Sequence, residues 1–160
     1  MSATSSESAT AYHEAGHAAI AIYLGRAVQQ VSVRPNQTRL GQCQLKKGRR
    51  RASHDPIETE ILIRLAGLAA EARHTGQYGW AGAAQDLREV RLLTQARANG
   101  ERQIARLERR MLDKAEHILE RPGVWRAIEQ IALQLLQATT ISGRAAHHFY
   151  EQAVGQADFI

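Results

Sequence analysis

Apolar residues recur at helical spacing along most of the chain, and this pattern predicts a mainly helical domain. The first helix is predicted over residues 9–24 and ends at Gly25, a residue type common after helix C-termini. The second begins at Asp55-Pro56-Ile57-Glu58, which supplies an N-cap carboxylate and a proline in the first turn, and it ends near Gly76. Later helices are predicted over residues 83–98, 101–120, 124–138 and 142–154.

The segment between the first two helices follows a different pattern. Val28–Arg34 alternates in polarity and is rich in β-branched residues, which predicts a strand. After a predicted turn at residues 35–37, residues 40–46 form a plausible second strand. Thr140–Gly143, much later in the chain, is interpreted as a turn. The predicted fold class is therefore mainly α (α+β), a compact helical domain with one small β ribbon.

The chain is predicted to form one domain. Its 160 residues suit a single hydrophobic core, and no internal repeat or low-complexity linker divides them. Residues 1–8 are predicted to be a disordered, Ser-rich tail. Residues 9–154 form the predicted domain, and residues 155–160 form a C-terminal tail.

Composition narrows the class of protein further. Cys43 is the only cysteine, which excludes an internal disulfide and a metal site built from several cysteines. The first residues have neither the basic start nor the apolar centre of a signal peptide. The longest apolar run, Ala18–Leu24, is far shorter than the ~20 residues that cross a bilayer. We expect a soluble, cytoplasmic protein without a membrane segment.

The basic charge of the chain raises the question of nucleic-acid binding. The net charge is +5, and residues 46–51 (Lys-Lys-Gly-Arg-Arg-Arg) supply much of the excess. No aromatic residue interleaves this run, although aromatic stacking is typical of surfaces that bind single-stranded nucleic acid. We therefore interpret the run as a solvated loop, and nucleic acid is not the predicted partner.

The strongest chemical signal is the H-E-x-x-H motif His13-Glu14-Ala15-Gly16-His17 within the first helix. Residues four apart share one helix face with Cβ atoms about 5–6 Å apart, so both imidazoles can bind one Zn²⁺. Glu14 is then placed to act as a general base on water. The alternative is a pair of ordinary histidines, but the apolar run that follows predicts the buried helix that a metal site needs.

A catalytic zinc site requires a third protein ligand and an open position for water. Two acids compete for this role: Glu71 inside the second helix, and Asp86 in the first turns of the third. Both are far from His17 in sequence, so their spacing from His17 does not show which of them is the third ligand. His147 and His148 are adjacent and cannot share one helix face, so we interpret them as surface residues.

Several segments resemble the peptidase domain of FtsH-type ATP-dependent zinc metalloproteases. Ala11–Ala18 closely resembles the zinc-binding helix of that family, and Leu65–Glu71 is similar to its Gly-Gly-Arg-Ala-Ala-Glu helix. Gly82–Leu87 is similar to its Gly-Ala-x-x-Asp-Leu segment. Weaker similarity lies in residues 31–35, 40–41, 115–119 and 140–143, so that the resemblance extends over about residues 9–154.

This resemblance implies a helical, zincin-like peptidase fold with Zn²⁺ held by His13, His17 and Asp86. Glu14 becomes the general base, and Glu71 becomes a neighbouring acid that orients one of the ligand imidazoles. The implied activity is that of a zinc metalloendopeptidase acting on unfolded or short polypeptides. The substrate is expected to pair with an exposed edge of the ribbon over residues 28–46.

The sequence departs from the family in two respects. Family members carry an ATPase module, whereas these 160 residues contain no G-x-x-x-x-G-K-[ST] motif, and Gly67-Leu68 replaces the Gly-Arg pair. An AAA ATPase acting in trans is therefore a possible partner. The alternative function is a non-catalytic, peptidase-like binding or regulatory module that acts with such an ATPase. The intact Glu14 favours the enzyme, because a purely structural zinc site needs no base. The sequence assigns no oligomeric state.

Overall fold

A computed structural model describes residues 5–35, 41–47 and 55–157. Within these ranges the chain forms the helices α1 (Ser5–Tyr23), α2 (Pro56–Thr75), α3 (Ala84–Gln95), α4 (Gly100–Leu119), α5 (Pro122–Ala138) and α6 (Gly143–Ala157). The strands of the same ranges are β1 (Val28–Ser32), β2 (Gln42–Leu45) and β3 (Thr140–Ser142). The predicted mainly α fold class is confirmed.

The ends of α2 show how local sequence sets a helix boundary. The Asp55 side chain accepts hydrogen bonds from the backbone N–H groups of Ile57, at 2.9 Å, and Glu58, at 3.3 Å. At the other end Gly76 adopts a φ of 84°, and its N–H bonds to the carbonyl of Ala72. Both boundaries agree with the sequence prediction.

The sheet has three strands in the order β2-β1-β3, with both pairings antiparallel. Val31 of β1 lies opposite Cys43 of β2 on one side and opposite Ile141 of β3 on the other. The interpretation of residues 140–143 as a turn was therefore wrong. Three residues are too few to show an alternating pattern, and β3 exists because it pairs with a strand more than 100 residues earlier in the chain.

Helix bounds at the chain ends differ from the prediction. α1 begins at Ser5, inside the segment predicted as a tail, and α6 continues to Ala157. The predicted cap of α6 is present, because the Ser142 hydroxyl accepts a hydrogen bond from Ala145 N–H at 3.1 Å. Most of the predicted turn at residues 35–37 and of the basic run at residues 46–51 lies outside the described residues.

Helix α1 lies at the centre of the domain, packed against α2 and α5. Its contact surface is made of small residues, including the fully buried Ala11, Ala15 and Ala18. At Gly16 a Cβ atom would lie 2.6 Å from both the Ala66 carbonyl oxygen and the Ala70 Cβ, so only glycine permits this close approach to α2. No helix of the described residues is long and apolar enough to cross a membrane.

We expect Gly16→Ala to destabilise the protein, because its Cβ would force α1 away from the backbone of α2. Overpacking of this kind costs about 1–3 kcal/mol, which would lower the midpoint of thermal unfolding by several degrees. Gly155→Ala is the matched control, since no atom lies within 4 Å of its Cβ and alanine favours the α6 helix. Equal unfolding midpoints for Gly16→Ala and the parent would contradict the proposed tight crossing.

Candidate metal centre

The two histidines of the H-E-x-x-H motif are buried on the face of α1 that meets α2. Their ring centroids are 4.7 Å apart, and the rings are nearly perpendicular at 83°. One potential ligand atom each from His13, Glu14 and His17 lies within 4.8 Å of the others, which is a spacing that one metal ion could bridge. The sequence prediction that these residues lie together on a buried helix is correct.

Asp86 in the first turn of α3 faces both imidazoles. Its Oδ2 atom lies 2.9 Å from His13 Nε2 and 3.2 Å from His17 Nε2, and the side chain is buried. Two imidazole nitrogens and one carboxylate oxygen thus converge on one small volume. Asp86, and not Glu71, is the acid that faces both Nε2 atoms, and its assignment as the third ligand stays a prediction.

The remaining ring nitrogens of the histidines are directed at acceptors. His17 Nδ1 donates a hydrogen bond to the carbonyl oxygen of Ile63 at 2.6 Å, and His13 Nδ1 lies 3.8 Å from Glu71 Oε2. In a neutral imidazole, an N–H at Nδ1 leaves the lone pair of Nε2 available to a metal. Metal-binding histidines commonly have this pattern, because the acceptor fixes both the tautomer and the ring orientation.

Glu71 is half-buried and lies next to His13, on the Nδ1 side of the ring. Its Oε2 is buried and has no hydrogen-bond partner among the described residues. The loop after α2 approaches it closely, since a Cβ at Gly79 would lie 2.4 Å from Glu71 Oε2. This position is consistent with the predicted role of an acid that orients an imidazole.

Gly67 of α2 leaves the space in which a metal could bind. A Cβ at this position would lie 2.5 Å from His17 Nε2 and 2.7 Å from His13 Nε2. In the sequence, Gly67 stands out only as part of a replaced Gly-Arg pair, and this role was not predicted. Nor was Arg64 predicted, whose NH1 lies 3.8 Å from the second Asp86 oxygen, and whose Nε pairs with Glu89 at 2.8 Å. The helical spacing of Arg64 from Gly67 was the available signal.

Electrostatic interactions at the site favour the charged forms of Asp86 and His13. Burial disfavours a charged Asp86, but the imidazoles of His17 and His13 hold the pKa of its carboxyl well below the usual range. Burial also opposes protonation of His13, yet the hydrogen bond with Asp86 and the Glu71 carboxylate raise the pKa of His13 to about 10. A metal entering the site must therefore displace a proton from His13.

Two other histidines considered from sequence make contacts elsewhere in the fold. His147 accepts a hydrogen bond from Val28 N–H at 3.3 Å, and His74 is stacked on Tyr12 at the surface. The half-buried Cys43 packs against the core, and burial raises the pKa of its thiol, as expected for a packing residue. His54 lies outside the described residues.

A cavity of about 260 Å³ opens beside the buried histidines. Its lining includes His13, Glu14 and Asp86, together with Gly41 before β2 and the loop residues Ala81 and Gly82. A Cβ at Gly41 would lie 2.9 Å from Glu14 Cγ, so Gly41 lies directly against the Glu14 side chain. The site is therefore buried at its centre and open to a ligand along one side.

A helical domain with a buried H-E-x-x-H helix and a carboxylate facing both imidazoles belongs to the metallopeptidase class. The profile of peptidase family M41 matches residues 1–100, which contain every residue of the candidate centre, and the chain belongs to this family of FtsH-type peptidase domains. No curated protein matches the chain. The match ends at residue 100, where α4 begins. The resemblance noted for residues 115–119 and 140–143 therefore stays a prediction.

We expect Asp86→Ala to bind zinc much more weakly than the parent, because it removes the carboxylate that faces both Nε2 atoms. Loss of a residue that merely supports a ligand costs about 10–100-fold in affinity, and loss of a ligand should cost at least as much. Zinc content after dialysis against a competing chelator provides the measurement. Asp113→Ala, an exposed aspartate on α4, is the matched control. Unchanged zinc affinity in Asp86→Ala would exclude Asp86 as a ligand.

Proposed function

We propose that this chain is a zinc metalloendopeptidase that hydrolyses peptide bonds in unfolded or short polypeptides. The observation that carries the proposal is the convergence of both Nε2 atoms on Asp86 Oδ2, at 2.9 and 3.2 Å, beside an open cavity. Membership of peptidase family M41 supports hydrolysis of peptide bonds as the reaction class.

The donor set fits Zn²⁺. Two imidazoles and one carboxylate are a three-ligand set typical of catalytic zinc, which leaves a fourth position for water or substrate. When bound, zinc supplies a Lewis acid that polarises the scissile carbonyl and lowers the pKa of water to about 7. The proposed ligands are His13, His17 and Asp86. The space left by Gly67 and the acceptors at both Nδ1 atoms support this assignment.

Glu14 is the proposed general base. It is buried, it follows the first ligand directly, and its side chain lines the cavity where a substrate would bind. Its carboxylate would accept the proton of the attacking water and then deliver that proton to the leaving amine nitrogen. Removal of bulk water from this wall strengthens the electrostatic effect of the carboxylate.

Glu71 is proposed to hold His13 in place. Its carboxylate lies 3.8 Å from His13 Nδ1, and contraction of this distance would give a charge-assisted hydrogen bond. Such a bond would keep the proton on Nδ1 and the lone pair on Nε2. The close contact of Gly79 behind Glu71 limits how far the carboxylate can move away.

The substrate is proposed to bind as an extended strand along β2. In the described part of the sheet, β1 is paired on both sides, whereas β2 pairs with β1 alone. Backbone groups on the outer side of β2 can therefore pair with a peptide. Because Gly41 directly precedes β2 and contacts Glu14, a peptide on this edge would pass beside the base.

We expect Glu14→Gln to retain zinc but to cleave an unstructured substrate about 10²–10⁴-fold more slowly, because a neutral amide does not accept the proton of water. Casein cleavage and zinc content are measured on the same preparation. Glu7→Gln, in the first turn of the same helix, is the control and should cleave at the parental rate. If Glu14→Gln is as active as the parent, Glu14 is not the base. If the zinc-loaded parent is inactive, a non-catalytic binding module becomes the better hypothesis.

We also expect this chain to cleave unfolded polypeptides without ATP and to leave stably folded proteins intact. The 160 residues carry no phosphate-binding loop, and a folded substrate becomes extended only through its own local openings. The test compares a disulfide-bonded protein with its reduced, alkylated form, with and without ATP. Rapid cleavage of the folded form would contradict the prediction.

An ATPase partner in trans and a cytoplasmic location stay predictions.

A further inference from the structure

Arg88 is the one lysine or arginine among the described residues that line the cavity beside the candidate centre. The same lining holds three carboxylate side chains, those of Glu14, Glu71 and Asp86. The proposed metal ligands are two imidazoles and a carboxylate, and the proposed base is a carboxylate, so neither role uses the positive charge of Arg88. Its place in this cavity therefore calls for another partner.

The first turns of α3 turn one face toward the cavity. Ala84, Gln85 and Arg88 all line it, as expected for residues three and four apart on a helix. Arg88 NH2 donates a hydrogen bond to Gln85 Oε1 at 2.9 Å, and Gln85 Nε2 donates one to Glu89 Oε1 at 3.2 Å. Glu89 in turn pairs with Arg64 of α2 at 2.8 Å. This chain of contacts connects the Arg88 guanidinium to a second helix and restricts its orientation.

Most of the hydrogen-bonding capacity of Arg88 is unused. A guanidinium has five N–H donors, and the neutral Gln85 amide accepts from one of its nitrogens. Among the described residues no carboxylate pairs with Arg88, whereas Arg91, three residues further along α3, pairs with Glu108 at 2.6 Å. Arg88 is also exposed to solvent. Its remaining donors are thus available to an anionic group that enters the cavity.

We propose that Arg88 binds a carboxylate of the polypeptide that occupies the cavity. This inference rests on the proposed function, because it takes that occupant to be a polypeptide. A planar guanidinium matches a carboxylate with two parallel N–H···O bonds, which is a geometry that a neutral amide does not reproduce. A polypeptide carries this group on its acidic side chains and at its C-terminus, and the experiment below distinguishes these two sources.

The acids of the cavity itself strengthen the case for Arg88. Asp86 faces both imidazoles, and Glu71 lies beside His13. A ligand carboxylate that enters among these acids is repelled by like charge unless a cation lies close to it. Arg88 supplies that cation from the lining of the cavity. The selectivity of the cavity for negative ligands should therefore depend on this one side chain.

The exposure of Arg88 limits the size of the effect. Ion pairs in contact with water are weaker than buried ones, and the two hydrogen bonds to a charged acceptor add to the attraction. We expect loss of Arg88 to weaken binding of a carboxylate peptide about three- to tenfold. Because salt screens exposed charges, the preference should shrink between 0.05 and 0.5 M NaCl, taken here as roughly one Debye-length range.

Binding is measured by fluorescence anisotropy with zinc-loaded Glu14→Gln, so that the peptides are not cleaved. Three labelled ten-residue peptides of Ala, Ser and Gly serve as probes: one with a central Glu and an amidated end, one with Gln and an amidated end, and one with Gln and a free C-terminal carboxylate. Tighter binding of the Glu peptide than of the amidated Gln peptide identifies an acidic side chain as the source. Tighter binding of the free-acid peptide alone identifies the chain terminus.

Adding Arg88→Gln should remove the preference by weakening the carboxylate peptide alone, and Arg88→Lys should keep part of it. Arg109→Gln, which changes an exposed arginine on α4 that does not line the cavity, is the matched control and should change no affinity. Equal weakening of all peptides by Arg88→Gln, or no weakening, would overturn the proposal. So would a parent that binds all three peptides equally well. Zinc content and thermal unfolding verify that each variant is loaded and folded.

Cleavage by chains with an intact Glu14 separates the two proposals. If Arg88→Gln raises KM for the preferred carboxylate peptide and leaves kcat unchanged, both proposals stand. If the parent binds that peptide selectively but cleaves nothing, the carboxylate site stands and the peptidase proposal fails. If the parent and Arg88→Gln cleave it with the same kcat/KM, the peptidase proposal stands and the carboxylate site fails.

Discussion

The close crossing of α1 and α2 is the constraint on which the rest of the structure depends. Gly16 lets the α1 backbone approach Ala66 and Ala70, and Gly67 lets the α2 backbone approach the imidazoles of His13 and His17. A side chain at either glycine would separate the helices or fill the space between the Nε2 atoms. The same crossing brings the Ile63 carbonyl to His17 and Glu71 to His13, so one packing contact fixes the positions of both rings.

The candidate centre concentrates charge where the domain is otherwise apolar. Burying a carboxylate beside two imidazoles is unfavourable unless the groups are paired with each other or with a metal. In the described structure Asp86 Oδ2 lies 2.9 Å from His13 Nε2, and this carboxylate contributes to the raised pKa of His13, which favours an imidazolium as its partner. A bound Zn²⁺ would replace that proton as the positive partner of the carboxylate, so metal binding and protonation at His13 compete for one site.

Two neighbouring segments contribute to the cavity beside this centre. Gly41, directly before β2, lies against Glu14, and the loop after α2 supplies Ala81 and Gly82 to the cavity lining. The proposed metal ligands and the proposed base all come from helices, where side-chain positions are most firmly set by packing.

The sequence by itself determined the features that depend on neighbouring residues: the H-E-x-x-H face of α1, the caps of α2 at Asp55 and Gly76, and the mainly helical class. These are short-range effects of helical spacing and backbone conformation. Spacing could not choose between Glu71 and Asp86. The family resemblance favoured Asp86, and the packing of α3 places the Asp86 carboxylate 2.9 Å from His13 Nε2.

Only the tertiary structure decided what depends on residues far apart in the chain. β3 exists because it pairs with β1, and three residues carry no alternating pattern of their own. The space at Gly67, the contact of Ile63 with His17 and the place of Arg88 in the cavity lining are likewise set by how elements pack. A local pattern specifies which face of a helix is apolar, but the atoms that meet that face come from distant segments, and their positions follow from packing of the whole core.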